Sequence, residues 1–221
     1  MEEVTAPEAA GLAGYHDTRF AFDHRREVLW RELWRSYFSG LVAPDACVLE
    51  LGAGYGHFIN SVRCRRRVAV DRFPELSHYL DPGVEGRVGD VQDLGFLAER
   101  SVDFAFASNL FEHLPQGDFA ATLAGLRRVL APDGTLCIVQ PNYRFAYREY
   151  FDDYTHVAVY SDRSLCDFLG ANGFRVLECR PRFLPLTIKS SLPIHPWLIR
   201  LYLRLPFKPL GKQMLVRARP A

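Results

Sequence analysis

The sequence has no cysteine pair spaced C-x-x-C. Its five cysteines, at 47, 64, 137, 166 and 179, are odd in number and widely separated. That excludes zinc-finger spacing, offers no disulfide framework and fits a reducing compartment. Cys47 and Cys137 sit inside apolar runs and read as small core residues. No uninterrupted apolar run approaches the ~20 residues of a membrane span. The opening Met1-Glu2-Glu3 lacks the basic and apolar regions of a secretory signal, so a cytoplasmic protein is expected. Charge of one sign is also missing: 27 basic residues face 26 acidic ones, a net charge of +1. There is thus no global electrostatic case for nucleic acid, and the run Arg63-Cys64-Arg65-Arg66-Arg67 reads as a solvated loop. Repeats and low-complexity tracts are absent, and 221 residues suit one domain with modest additions. Asp90, Asp93, Asp152, Asp153 and His156 lack the tight spacing of known metal signatures, so no metal is expected.

What is present is an alternation of helical and strand patterns. Residues 1–17 are polar and Ala/Gly-rich, an expected loose arm. From Asp23 to Phe38, Leu29, Trp30, Leu33, Trp34, Tyr37 and Phe38 form a helical stripe, with Asp23 as N-cap and Gly40 and Pro44 as stops. Short apolar runs at Cys47–Leu51, Val68–Asp71, Gly86–Asp90, Val102–Ser108, Thr135–Gln140, Phe174–Cys179 and Gln213–Ala218 predict seven strands. Between them lie a helix through Phe119, Leu123, Leu126 and Leu130, a turn at Ala131-Pro132-Asp133-Gly134, and a Ser161-capped helix stopped at Asn172-Gly173. Alternating strands and helices imply βαβ units and a mainly parallel sheet. The division expected is an N-terminal arm and helix over 1–44 and an α/β domain over 45–221.

The informative stretch is Val48-Leu49-Glu50-Leu51-Gly52-Ala53-Gly54-Tyr55-Gly56. A buried strand enters a glycine turn before a helix, the place where open α/β sheets bind ligands. A dinucleotide fingerprint needs G-x-G-x-x-G. Here the third glycine arrives one residue early, and His57 takes its slot. Glu50 would repel a pyrophosphate but attract an amino group and a sulfonium. The charge logic therefore favours S-adenosylmethionine over NAD. Other strand ends agree. Asp71, followed by Arg72, can accept from ribose hydroxyls. Asp90 and Val91 suit an adenine amino group and its flanking apolar contact. Asn109, followed by Leu110, stands where donor and acceptor should meet.

Taken with Val70-Asp71, Gly89-Asp90-Val91, Ser108-Asn109-Leu110-Phe111-Glu112-His113-Leu114 and Leu126-Arg127-Arg128-Val129-Leu130-Ala131-Pro132-Asp133-Gly134-Thr135-Leu136, the loop gives residues 45–180 a resemblance to class I S-adenosylmethionine-dependent methyltransferases. The resemblance implies a Rossmann-like, doubly wound α/β fold of seven strands, mostly parallel with the last antiparallel, plus the N-terminal helix. It implies donor contacts at Glu50, Gly52, Ala53, Gly54, Gly56, Asp71, Arg72, Asp90, Val91, Asn109 and Leu110. The third strand, short and glycine-rich, departs from the family pattern.

On the acceptor side, His113 and His156 are the catalytic candidates. His113 is suited to sealing the donor pocket. His156, in the aromatic segment Tyr147–His156, is the better base candidate should the acceptor be an oxygen that must lose its proton; the residues do not distinguish O- from N- or C-methylation. Tyr147, Tyr150, Asp152 and His156 are the expected acceptor contacts. Tyr15, His16 and Arg19 suggest a lid. The hydrophobic insertion at 181–211 carries Leu192, Ile194, Trp197, Leu198, Ile199, Leu201, Tyr202, Leu203, Leu205 and Phe207. Its cations Arg200, Arg204 and Lys208 fall every four residues, so it can pack on the domain's own sheet edge, cover an acceptor pocket, form a dimer seam, or lie on a membrane through 192–208 at the inner membrane face. The stretch from Arg182 to Gln213 resembles tails of bacterial methyltransferases from envelope polysaccharide clusters. That resemblance favours a sugar or glycolipid hydroxyl as acceptor, with a quinone, polyketide or amine as the variation. A nucleotide-sugar or NAD oxidoreductase, or a donor-binding protein without activity, are the competing classes.

Overall fold

The computed structural model of the protein describes residues 22–185, 195–208 and 210–221. The suggested lid residues Tyr15, His16 and Arg19, and Leu192 and Ile194 of the insertion, lie outside the described residues.

Seven strands form one sheet: β1 (Cys47–Leu51), β2 (Arg66–Asp71), β3 (Val84–Val88), β4 (Val102–Ser108), β5 (Leu130–Pro141), β6 (Phe174–Leu184) and β7 (Gln213–Pro220). Their order across the sheet is β3-β2-β1-β4-β5-β7-β6. The first five pair in parallel, and β7 runs antiparallel between β5 and β6. Strand order reverses between β1 and β4, so their carboxyl ends flank the crevice where such sheets bind ligands.

Alternation along the strands sorts the core into two layers. On one face Leu49, Leu51, Ala105 and Ile138 pack under α4 (Gln116–Val129) and α6 (Asp162–Ala171) through Phe119, Leu123, Leu126, Leu165 and Leu169. On the other, Val48, Phe104, Phe106 and Val139 pack under α1 (His24–Ser36) and α2 (His57–Ser61). There the Phe58 and Phe106 rings stack at 3.8 Å. The insertion contributes α7 (Pro196–Arg204), which buries Ile199 in this second layer. Two one-turn helices, α3 (Leu76–Tyr79) and α5 (Tyr143–Ala146), and short 3-10 turns at Phe38–Gly40, Phe111–His113 and Tyr150–Asp152 lie among the described residues.

The helix starts read from sequence hold, but α1 ends at Ser36, before the expected stops Gly40 and Pro44, and Phe38–Gly40 form a separate 3-10 turn. The Asp23 carboxylate accepts the Arg25 N–H at 2.9 Å, and Ser161 and Ser164 form a reciprocal capping box on α6. Gly173 takes φ +78° at its stop. Several boundaries differ. The basic run is not wholly a loop, because Arg66 and Arg67 open β2 and Arg66 ion-pairs with Glu85 on β3 at 2.8 Å. β3 starts two residues earlier than the Gly86 expected, β6 continues to Leu184, and β7 to Pro220. The turn expected at 131–134 lies inside β5. The ladder passes from Val102–Leu130 directly to Phe104–Thr135, so Ala131–Gly134 bulge out. A Cβ on Gly134 would meet the Val102 carbonyl at 2.8 Å, which is why glycine stands at this bulge.

Candidate active site

The glycine turn after β1 holds three left-handed residues, Gly52 at φ +66°, Gly54 at +51° and Gly56 at +66°. L side chains avoid this region. A Cβ on Gly52 would sit 2.9 Å from Leu110 Cδ1 and one on Gly56 2.8 Å from Leu80. Bare backbone therefore lines the crevice, with Leu110 as its opposite wall. This cradle fits a ligand that must approach the main chain closely.

Acidic residues tie the cradle down. One Glu50 oxygen accepts the Ile59 N–H at 2.9 Å, fixing α2 to the tip of β1. Burial pushes the Glu50 pKa well above its usual range, against the pull of that amide, and the nearby Asp71 charge adds to the rise. Sequence reasoning placed Glu50 toward the ligand's cation; this oxygen instead serves the loop itself. Asp71 Oδ2 accepts the Gly54 N–H at 2.7 Å and Oδ1 the Phe73 N–H at 2.8 Å. A carboxylate has about four acceptor positions, so Asp71 keeps capacity for ribose hydroxyls. Asp90 repeats the device one strand along: Oδ1 accepts the Gln92 N–H at 2.9 Å, and Oδ2 meets the Arg72 guanidinium. Partial burial opposes ionisation of Asp90, but the Gln92 amide and Arg72 outweigh it and hold the pKa below the usual value. Ala53 and Val91 are both buried; Val91 sits in the first core layer, so its side chain anchors the loop.

Asn109, at the end of β4, has φ +50°, a conformation rare outside glycine. Its N–H donates to the Val139 carbonyl at 2.8 Å, and its Oδ1 accepts from Gln213 Nε2 at 2.8 Å. Such strain, held by specific hydrogen bonds at a crevice, marks functional positions. Gln213 comes from β7, 104 residues away, and gives no sequence signal. Sequence reasoning also missed an aromatic wall beside the glycine turn. Tyr55 lies 4.7 Å from Tyr79 and 5.4 Å from both Phe73 and Phe22, ring to ring. His57 joins it; burial foremost, then the Arg26 charge, lowers its pKa to about 4.

The two candidate histidines come together. The Glu112 carbonyl accepts the N–H groups of Val157 at 2.9 Å and Ala158 at 3.1 Å, clipping the end of the Tyr147–His156 segment onto the end of β4. The rings of His113 and His156 are then 4.8 Å apart. His113 Nδ1 lies 3.2 Å from the Thr155 carbonyl and 2.9 Å from Thr155 Oγ1, whose own proton is given to Asp153 at 2.6 Å. Both neighbours need a donor, which assigns the proton to Nδ1 and the basic lone pair to Nε2. Burial, reinforced by His156, lowers the His113 pKa to about 4.

Glu112 is wholly buried, and neither carboxylate oxygen has a hydrogen-bond partner among the described residues. Burial, with Asp153 adding, raises its pKa to about 8. Glu112, His113 and His156 offer ligand atoms within 4.8 Å of one another, the one set among the described residues that could hold a metal. Of the other expected acceptor contacts, Tyr147 and Asp152 are exposed, whereas Tyr150 is wholly buried. The Tyr150 hydroxyl donates to the Ala158 carbonyl at 2.6 Å, so this buried side chain is part of the segment's own packing. A cleft of about 340 Å³ lined by Leu41, Arg65, Asp103, Asp133 and Arg217 opens at the amino end of the strands, away from this site.

Residues 22–179 match the model of a methyltransferase domain. The chain belongs to that family. It is similar to a malonyl-acyl-carrier-protein O-methyltransferase of Methylococcus capsulatus, 32% identical over 213 residues, covering 87% of this chain and 73% of the relative. Among solved structures it resembles an S-adenosylmethionine-dependent methyltransferase from Archaeoglobus fulgidus. The TM-score is 0.65 at 19% identity, over 87% of this chain and 93% of the other. A geranyl diphosphate C-methyltransferase from Streptomyces coelicolor, solved with Mg2+, geranyl diphosphate and S-adenosyl-L-homocysteine, aligns with 98% of this chain and 88% of its own. Its TM-score is 0.62 at 16% identity. The methyltransferase is thus an S-adenosylmethionine-dependent enzyme with the expected seven-stranded fold. The curated relative's acceptor is a carrier-bound acyl group and not a sugar. No helix among the described residues is long and apolar enough to cross a membrane.

Proposed function

We propose that this methyltransferase acts on an oxygen of a small acceptor, with a sugar or glycolipid hydroxyl as the acceptor class. The observation that carries the reading is the pairing of His156 with His113 at the carboxyl edge of the sheet, 4.8 Å ring to ring. A hydroxyl holds its proton at neutral pH, so it gains from a base at the point of transfer.

When bound, S-adenosylmethionine supplies a methyl carbon on a sulfonium, and transfer to oxygen breaks the sulfur–carbon bond and leaves S-adenosylhomocysteine. The chain's own residues align and shield. The backbone from Gly52 through Ala53 to Gly56 receives the donor, and Glu50 keeps α2 in place behind it. Asp71 accepts from the ribose hydroxyls. Asp90, with Arg72 beside it and Val91 behind, borders the adenine. Asn109 and Leu110 close the side facing the acceptor. Holding two reactants in line accounts for much of the rate in such displacements. His156 takes the proton from the acceptor hydroxyl, and neutral His113 neither repels nor competes for it. Tyr147 and Asp152, exposed on the same segment, contact the acceptor, and Tyr150 holds that segment in shape.

A second reading has its own support. The 32% identical relative methylates a malonyl group on a carrier protein, and a carboxylate acceptor carries no proton to remove. The two readings separate in one assay, with methyl-labelled donor offered to a panel of reducing sugars, nucleotide sugars and malonyl-carrier protein. Label in a sugar that is lost in His156→Ala supports the first reading. Label only in the carrier-bound acyl group, insensitive to His156, overturns it in favour of the second.

A further inference from the structure

We infer that α7 and the turn after it are a docking surface for anionic lipid headgroups. One side of α7 is committed to the fold: Ile199 is buried, Leu203 packs against the same core layer, and Arg200 Nε lies 3.4 Å from Glu32 of α1. The other side is not. Trp197 and Leu201, one turn apart, are each about half exposed, and Leu205, Phe207 and Leu210 continue the patch beyond the helix end, with Phe207 81% exposed. Single exposed apolar side chains are ordinary, but five within fourteen residues mark an interaction surface.

Charge identifies the occupant. Residues 179–221 contain nine Lys or Arg and no Asp or Glu, leaving eighteen basic against 26 acidic residues in the first 178. Arg180, Arg200, Lys212, Arg217 and Arg219 pair with acids of the body, so Arg204 and Lys208 are the cations that the patch itself carries, with no acid beside them in the sequence. Arg204 has no ion-pair partner among the described residues. Lys208 Nζ donates to the carbonyls of Tyr202 at 2.7 Å, Leu203 at 3.0 Å and Leu205 at 2.7 Å, fixing the turn that presents Phe207. Tryptophan, phenylalanine and leucine interspersed with arginine are the composition of a helix lying in a membrane interface, and basic side chains there are drawn to anionic leaflets. A second copy of this chain fits poorly, because a two-fold contact through this face would set cations against cations.

The surface is joined to the site. Lys212, just past the patch, pairs with Glu149 of the acceptor segment at 2.6 Å, and the next residue is Gln213, which donates to Asn109. A protein seated on a bilayer through α7 presents its acceptor edge to lipid-linked molecules. Lipid binding requires no donor and no methyl transfer, so it is tested apart from the function proposed above.

The test is co-sedimentation of the full chain with vesicles of phosphatidylglycerol and phosphatidylcholine, and with phosphatidylcholine alone. Binding to the anionic vesicles, about tenfold weaker on neutral vesicles or at high salt, is expected. The double substitution Leu201→Glu, Phe207→Glu should abolish it while S-adenosylhomocysteine binding persists, which shows the variant is folded. Failure of the unaltered protein to sediment with anionic vesicles overturns the proposal. So does equal binding by the double variant, or a dimer in analytical ultracentrifugation that the same variant dissociates.

Discussion

Asp71 shows how one side chain joins fold and function. Its two oxygens each accept a backbone N–H, from Gly54 and from Phe73, so it shapes the glycine turn before any ligand arrives. Asp71→Ala should weaken S-adenosylhomocysteine binding by one or two charge-assisted hydrogen bonds, ~1.5–3 kcal/mol each. Unchanged affinity in calorimetry would remove Asp71 from the donor site. Glu112 sets a pH dependence. In the unfolded chain a glutamate ionises near 4.5, but in the fold only at about 8. Below 4.5 the group is neutral in both states. Between 4.5 and 8 the unfolded chain gains a proton-releasing group that the fold withholds, so stability falls as pH rises, and it levels off above 8. Glu112→Gln removes this slope. Its advantage over the parent protein in urea unfolding should grow between pH 5 and pH 8 by up to a few kcal/mol, at about 1.4 kcal/mol per pH unit. An equal difference at both pH values would contradict the burial account.

Elements decide which residues can meet. The segment that carries His156 is positioned by the Val157 and Ala158 amides on the Glu112 carbonyl, and this clip brings His156 to His113. His156→Ala should slow methyl transfer to a hydroxyl by ~10²–10⁴-fold while donor affinity stays within a factor of two. A large loss of donor affinity in calorimetry would move His156 to the donor side. The elements also explain what was legible beforehand. Strands β1 and β4 and helices α1, α4 and α6 carry strong local patterns: apolar runs, a 3.6-residue stripe, a Ser161 cap, a Gly173 stop. Their positions followed from sequence. The strand ends Asp71, Asp90 and Asn109 were legible for the same reason. The long-range parts were not. Gln213 reaches Asn109 across 104 residues, the Tyr55–Tyr79 wall forms only when α3 folds over the glycine turn, and the bulge in β5 exists only against β4. Tyr150 misled because an aromatic in a polar segment suggests a contact, whereas its hydroxyl closes an internal bond to Ala158.

At the scale of the molecule, a sheet whose strand order reverses between β1 and β4 gathers the glycine turn, Asp71, Asp90 and Asn109 along one edge. Two apolar layers hold that edge rigid. Near the C-terminus, Arg200 of α7 pairs with Glu32 of α1, and Lys212 pairs with Glu149. On the function proposed above, donor recognition falls to the first half of the chain and acceptor access to the second. Donor recognition is the claim on which the rest stands. Calorimetric titration of the purified protein with S-adenosylhomocysteine tests it most directly. One-to-one binding in the micromolar range, roughly −8 kcal/mol, is the predicted result. A folded protein that takes up no S-adenosylhomocysteine would contradict the account.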